Sequence, residues 1–468
     1  MVRLGHFARK MRGLQIAVAW MAASSEATFA QNVNDQLILP PPLRPAIEAL
    51  EPIPDGEGTY TFAVPSTLPV SEALVNTNYL GRAALFGDST RLADFAKGTF
   101  LPSAIPVAGQ PFHGSDARAG LQANGSAVRV NAYAPSSLGL AAAAHAQLMV
   151  DNASIASTDS SDAVEFSVRQ VFVQLNRLQV GVMDTAFSDP SAMPETLDLA
   201  GPNSRITAYD AGVGSGQGRI SYDLLTDAPD GFEIVTSVEQ AIPELTPVIA
   251  TDKTLARYPD FICTAQYVDG DLIAGRFEEL WHLQFASVFR DLALESPSGA
   301  TESAFGWGTA LSGAYRLRLT PNVSSLDRLM FSIGYGEGIS HYFVDLNAAS
   351  DTGDGVVNAA GTLEALPVLA WYTAYSHNWT DWLRSTATFS QVNLDSTTPF
   401  SATASPYRRG NYVGANLVYH EQFSSSDKPG ATQQNFFTGI EYLYGTKETL
   451  NGAEGEAHRL MFIVAISK

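Results

Sequence analysis

The strongest regularity along the chain is an alternation of apolar and polar positions that begins near His113 and runs to the end. In Phe305 to Leu317, the residues Phe305, Trp307, Leu311, Tyr315 and Leu317 fall on one face. Gly306, Gly308, Ala310, Ser312, Ala314 and Arg316 fall on the other. Leu329, Phe331, Ile333 and Tyr335 oppose Arg328, Met330, Ser332 and Gly334, and Trp281, Leu283, Phe285 and Phe289 oppose His282, Gln284, Ala286 and Arg290. A period of two with one apolar side is the pattern of a half-buried strand, because successive side chains leave a pleated backbone on opposite faces. Aromatic residues near segment ends suit the two interfaces of a bilayer. A soluble sandwich would alternate too, so the connections carry the distinction.

The pattern predicts sixteen strands, over 117–123, 127–134, 138–151, 163–175, 177–185, 217–225, 232–241, 259–269, 280–290, 304–319, 328–337, 363–377, 383–394, 409–422, 435–445 and 458–467. If the chain starts on the periplasmic side, the odd-to-even connections lie outside the cell. Apart from Asn124–Gly125 these are long: 152–162, 186–216, 242–258, 291–303, 338–362, 395–408 and 446–457. The even-to-odd connections are short: 135–137, Asn176, 226–231, 270–279, 320–327, 378–382 and 423–434. Long outer loops and short inner turns are the outer-membrane arrangement. The expected fold is an all-β, 16-stranded antiparallel transmembrane β-barrel over 113–468.

Two segments precede it. Met1 to Ala30 reads as a secretory signal: Arg3, Arg9, Lys10 and Arg12 form a positive start, Leu14 to Ala23 is mostly apolar, and Thr28-Phe29-Ala30 offers a small-x-small cleavage site. Gln31 to Phe112 carries Pro40, Pro41, Pro42, Pro45, Pro52, Pro54, Pro65 and Pro69. Proline removes a backbone donor and fixes φ, so this stretch is expected to be largely irregular.

Composition narrows the class further. Charged residues are 16% of the chain while hydrophobic residues are 45%, against roughly 25% charged in an ordinary soluble protein. No apolar run approaches the ~18 residues a spanning helix needs. The net charge of −20, more negative once the signal's four cations are removed, argues against nucleic acid as a partner. Cys263 is the sole cysteine, which excludes an internal disulfide framework and a cysteine-based zinc site.

Patterns that carry chemistry are mostly missing. His420-Glu421 lacks the second histidine of HExxH, and Gly212, Gly214, Gly216 and Gly218 miss the GxGxxG spacing. Asp351, Asp354 and Gly355 suggest a calcium loop, but no Glu stands at the twelfth position. Phe86-Gly87-Asp88-Ser89 resembles the nucleophile block of GDSL-type esterases, yet the later Asp-x-x-His that would activate Ser89 is absent. Neither an enzyme nor a cofactor is expected.

A different constellation stands out. Alternation puts Arg118, Arg129, Arg169 and Arg219 on lumen-facing positions, with Arg205 close by. The segment Asp184 to Asn203 carries Asp189, Glu195 and Asp198, and Pro190, Pro194 and Pro202 stiffen it. Folded into the lumen, such a loop would narrow it. Acids on the loop facing arginines on the wall would set a field across the gap and orient passing solutes.

Val168-Arg169-Gln170-Val171-Phe172-Val173-Gln174 and Phe187-Ser188-Asp189-Pro190-Ser191-Ala192-Met193-Pro194-Glu195-Thr196-Leu197-Asp198-Leu199-Ala200-Gly201-Pro202 resemble the DcaP-like trimeric outer-membrane porins. Weaker echoes are Ala304-Phe305-Gly306-Trp307-Gly308, Arg408-Arg409-Gly410-Asn411-Tyr412, and Glu441-Tyr442-Leu443-Tyr444-Gly445 before Asn451-Gly452-Ala453-Glu454-Gly455. The resemblance spans about 113–468 and implies a sixteen-stranded pore with an inward-folded constriction loop. It further implies a homotrimer in the bacterial outer membrane, bounded by lipid and lipopolysaccharide, passing small anions such as dicarboxylates. The glycine-rich run Ala208 to Gly218 departs from that family's pattern. The competing expectation is a non-conducting barrel closed by its N-terminal segment and serving as an anchor or interaction platform.

Overall fold

The computed structural model describes residues 59–63 and 72–468, apart from 94–95, 97, 116, 136–140, 153–164, 208–215, 227–230, 247–251, 274–275, 318, 320–325, 348–352, 359–360, 396–405 and 425–432. The expected signal and the first part of the proline-rich stretch, 1–58, lie outside the described residues, as do 64–71.

Sixteen antiparallel strands close into a barrel. They are β1 (Glu72–Asp88), β2 (Arg118–Gln122 and Ala127–Pro135), β3 (Ala141–Asn152), β4 (Glu165–Leu175), β5 (Leu178–Met183), β6 (Gln217–Thr226), β7 (Gly231–Glu239) and β8 (Asp260–Ile273), followed by β9 (Arg276–Glu295), β10 (Thr301–Leu317), β11 (Asp327–Glu337), β12 (Pro367–Asn378), β13 (Leu383–Leu394), β14 (Tyr407–Ser424), β15 (Gln433–Thr449) and β16 (Glu454–Ser467). Each strand pairs with its neighbours in sequence, and β16 returns to β1 from Leu80↔Ser467 to Asp88↔Arg459. Closure satisfies every strand edge, which a backbone in hydrocarbon requires. Among the described residues no helix is long and apolar enough to cross a membrane.

The period of two is realised as expected in the middle of the chain. On β11, Leu329, Ile333 and Tyr335 are exposed on the outside, while Met330, Ser332, Gly334 and Gly336 are buried. β9 and β10 alternate in the same way, with Phe285, Phe289, Phe305, Leu311 and Tyr315 turned outward. An outer surface this apolar is stable only against lipid or another protein. Between β4 and β5 the connection is a two-residue turn in which Asn176 adopts φ +50°, a conformation asparagine tolerates better than most residues.

The start of the wall differs from the sequence expectation. Arg118–Gln122 and Ala127–Pro135 are not two strands joined by an outer hairpin at Asn124–Gly125. Both pair with β1, at Ala84–Asp88 and at Leu74–Leu80 respectively, and so form one interrupted strand. The interruption is a bulge: Gly125 takes φ +84°, Gly125 N donates to Val150 O on β3 (2.9 Å), and Arg82 Nη1 donates to Asn124 O from the lumen (2.6 Å). Asn-Gly favours hairpins, but left-handed backbone serves a bulge equally well. The sixteenth strand is β1, which lies within the stretch expected to be irregular. Its pattern is masked because both faces are apolar: Leu80, Ala84 and Phe86 point inward and pack with Leu197, Val418, Phe437 and Met461.

Three odd-to-even connections turn into the barrel: the first loop (89–117), the second (184–207) and the third (338–366). They bury Phe100, Leu101 and Ile105; Phe187 and Leu197; and Tyr342, Phe343 and Leu346. Each such side chain contributes about 1.5–3 kcal/mol by leaving water. The wall they rest on is apolar inside, with Ile262, Val288, Val368, Val392 and Leu394 among the buried residues. A short sheet of Leu245–Thr246, Gly355–Val357 and Leu363–Ala365 sits among the long connections, and Thr59–Ala63 runs antiparallel to the beginning of β1.

Candidate functional site: the pore lining and its constriction loop

The second loop visits the wall strand by strand. Ala186 N donates to Glu239 Oε1 on β7 (2.7 Å), and Thr264 Oγ1 on β8 donates to Ala186 O (2.8 Å). Asp189 then takes His282 Nε2 of β9 (3.0 Å) and Ser312 Oγ of β10 (2.6 Å). Arg328 on β11 donates to Ser191 O, and Tyr372 OH on β12 to Ala192 O (3.3 Å). Glu195 pairs with Arg384 of β13, whose Nη2 lies 2.5 Å from Oε1, while Asn416 of β14 donates to Glu195 O (2.9 Å). Leu197 and Asp198 give their backbone N–H groups to Glu441 of β15 (3.0 and 2.7 Å). Arg459 of β16 reaches Asp198 Oδ1 (3.3 Å), and Arg82 of β1 donates to Leu197 O (2.6 Å). Pro190 opens a single 3₁₀ turn, Pro190–Ala192, which Asp189 caps by accepting from Ala192 N.

Asp189, Glu195 and Asp198 are therefore anchors to the far wall. Burial alone would push Asp189 up, but His282 and the hydrogen bonds from His282, Ser312 and Ala192 outweigh it and hold the carboxyl below its ordinary range. Arg459 is clamped by Asp88 in a two-pronged pair (Nε–Oδ1 2.6 Å, Nη2–Oδ2 2.8 Å) and lies over the Phe86 ring. Ser89 Oγ accepts from His458 N (2.9 Å). The esterase-like block thus closes the barrel seam. Asp354, half of the calcium-like pattern, is buried against Arg290 Nη1 (2.9 Å), which also holds Asp260 (2.9 Å). Among the described residues no cluster of acids, histidines and cysteines could hold a metal.

Among the described residues, the inner face of β2 to β6 meets only the root and the return arm of the loop, through Asp184 and Leu199. Here the wall is polar: Arg129, His145, Gln147, Arg169, Gln170, Gln174, Gln217, Arg219 and Ser221 all point inward. Arg129, Gln147 and Gln170 stand side by side on β2, β3 and β4. A bulge falls at Arg169: Gln147 pairs with Gln170 but Leu148 with Val168, so Arg169 is the extra residue and shares the lumen side with Gln170. Phe166 and Val168 point outward, at 72% and 45% exposure. Arg205 closes the group from the return arm of the loop, donating Nη1 to Leu199 O (3.0 Å). Burial, with the like charge of Arg169 behind it, pulls Arg205 down to about 10.

Arg129, Arg169, Arg205 and Arg219 thus border one region, while Arg118 stands apart. It lies at the other end of β2 opposite Asp88, roughly 30 Å along the strand from Arg129. Glu195 faces Arg384, not Arg169. The residues that sequence reasoning did not single out are Asp184, Arg82, His282, Arg384, Glu441 and Arg459. A signal was present at Arg459, a lone charge on an inward face otherwise made of Ala457, Met461, Ile463 and Ala465.

No protein-family model matches the chain, and no curated protein matches it in sequence. The fold does have solved counterparts. The outer-membrane channel DcaP of Acinetobacter baumannii superposes with a TM-score of 0.62 at 15% identity, covering 85% of this chain and 97% of that one. The anion-selective porin from Comamonas acidovorans gives 0.47 at 10% identity, covering 84% and 99%. At the level of fold, the chain is a sixteen-stranded antiparallel barrel like that of DcaP.

Proposed function

We propose that the protein is an outer-membrane diffusion channel for small hydrophilic solutes, with a preference for small anions such as dicarboxylates. The observation that carries this reading is the polar inner face of β2 to β6, where Arg129, Arg169, Arg205 and Arg219 gather, while the loop acids Asp189, Glu195 and Asp198 are held by the far wall. Guanidinium groups in a confined, poorly screened opening attract anions and repel cations. Their donor forks match carboxylate geometry, and several donors sharing one solute keep any single contact weak enough for release.

The assembly we favour is a homotrimer embedded in lipid and lipopolysaccharide, exported by a cleaved signal at 1–30. Support for self-association comes from the wall itself. β5 has 6 residues and β7 has 9, against 20 in β9 and 18 in β14. A spanning strand needs about 9–11 residues, so the wall at β5 is better matched by protein than by lipid. The outer face from β2 to β5 is mainly aliphatic, with Val128, Val130, Leu148, Val171, Val173 and Val180 exposed.

Reconstitution of the purified protein in planar bilayers tests the function. Under a potassium chloride gradient the reversal potential should have the sign of anion preference. A cation-selective current, or none, overturns the proposal.

A further inference from the structure

His282 of β9 stands between two acids. Its Nε2 lies 3.0 Å from Asp189 Oδ2 on the second loop, and its Nδ1 lies 2.8 Å from Glu279 Oε1 on its own strand. The ring is enclosed, with 0% of its side chain exposed, while the Asp189 and Glu279 side chains are 3% and 20% exposed. Its cross-strand neighbours, Val268 of β8 and Ala314 of β10, are apolar.

A neutral imidazole has one N–H and one lone pair, so it can donate to one carboxylate only. Here each nitrogen faces a carboxylate oxygen. Asp189 is an acceptor on every side: its Oδ2 also takes Ser312 Oγ at 2.6 Å, and its Oδ1 takes Ala192 N at 3.3 Å. Arg316 of β10 and Arg328 of β11 act on Glu279, and two cations suit a carboxylate, not a carboxylic acid. Both ring nitrogens therefore carry hydrogen, and His282 is an imidazolium. Arg328 also donates to Ser191 O on the loop. Loop and wall thus meet through groups of alternating charge: Asp189, His282, Glu279 and Arg328.

We propose that His282 is a positioning residue of the channel: as an imidazolium it clips the second loop to the wall at Asp189, and loss of its proton frees that stretch of loop and widens the passage. This rests on the reading of the barrel as a diffusion channel. Deprotonation breaks one N–H bond, and the proton passes to hydroxide to give water. The ring keeps one N–H and turns a lone pair toward one of its two carboxylates. Lone pair and carboxylate repel, so one contact opens. Glu279 still has Arg316 and Arg328, whereas Asp189 is left with the neutral donors Ser312 and Ala192. The loop side is the one that gives.

The test is single-channel conductance of the full-length mature protein in potassium chloride, followed from neutral pH upward. The wild type should show a rise in conductance with the form of a single titration. His282→Gln supplies one amide donor at every pH and should lack that step. Glu279→Gln leaves the loop's own contacts in place but removes one of the two acids that hold the proton. Its step should move to lower pH by about 1–3 units, the effect of one close opposite charge. A conducting wild type with a flat profile overturns the clip alone. So does a step that survives in His282→Gln, or one that stays in place in Glu279→Gln. If His282→Gln fails to fold on a heat-modifiability gel, the wild-type and Glu279→Gln profiles decide. A folded wild type that passes no current overturns the channel reading and this proposal together.

Discussion

The inner wall of this barrel has two characters. From β7 round through β16 to β1 it mixes apolar and polar side chains and holds the second loop by a contact at every strand. From β2 to β6 it is rich in amides and arginines, and only the root and the return arm of the loop reach it among the described residues. In the first region charges come in closed sets: Arg459 between Asp88 and Asp198, Arg290 between Asp260 and Asp354, Arg384 with Glu195. In the second, Arg169 and Arg205 have Asp184 as a nearby acid and Arg219 has Glu239. The same residue type is thus a fastener on one side and, in the channel we propose, a lure on the other.

The comparison breaks most sharply at Arg459. Arg459→Met strands Asp88 and Asp198 in the seam, and removing one partner of a buried set costs about 3–5 kcal/mol. The temperature at which the folded form is lost on a heat-modifiability gel should drop steeply; an unshifted transition means the seam does not depend on this residue. Arg384→Ala strands only Glu195, so the loss should fall near the lower end of that range. Its larger consequence should be on the lumen, since the loop is released at mid-course: single-channel conductance rises. Equal conductance would show that the loop is held by its other contacts.

The arginine-rich side should respond in the opposite sense. Arg169→Ala is expected to leave stability within about 1 kcal/mol while moving the reversal potential toward cations. Were Arg169 instead on the lipid side at mid-membrane, its removal would stabilise the barrel by about 2–4 kcal/mol and leave selectivity alone; that outcome sinks the strand register. The smallest effect concerns pH. Asp189 is held below its ordinary range, so its anchor to His282 is present above the unfolded carboxylate value near ~3.9. It weakens as pH falls through the lower folded value. Wild type and Asp189→Asn should differ in conductance at neutral pH and converge in strong acid. Divergence that persists in acid points to a contact other than the ion pair.

Much of the first region was invisible in the sequence, and much of the second was not. β9, β10 and β11 announce themselves because each has lipid on one side and small or polar residues on the other. β1 does not, because the loop converts its lumen face into a hydrophobic core around Leu197. The loop itself was legible from its prolines and acids, but its partners were not. His282, Arg384 and Arg459 lie 93, 189 and 261 positions away from the acids they hold, and nothing local links them. Arg129, Arg169 and Arg219 could be placed by parity, although the bulge at Arg169 shifts the alternation that follows it.

The seam between β1 and β16 also sets an order of events. Asp88 and Arg459 are 371 positions apart, so their pairing must wait until nearly the whole chain has been threaded into the sheet. Contacts of such separation form late, after the local hairpins. Arg459 is also the far tie of the second loop, through Asp198. An open, partly assembled sheet therefore has no finished constriction: the loop acquires its last fastening only when the final strand docks. Closing the wall and fitting the filter are one event, and a barrel that has not sealed its edge has not yet chosen what it will admit.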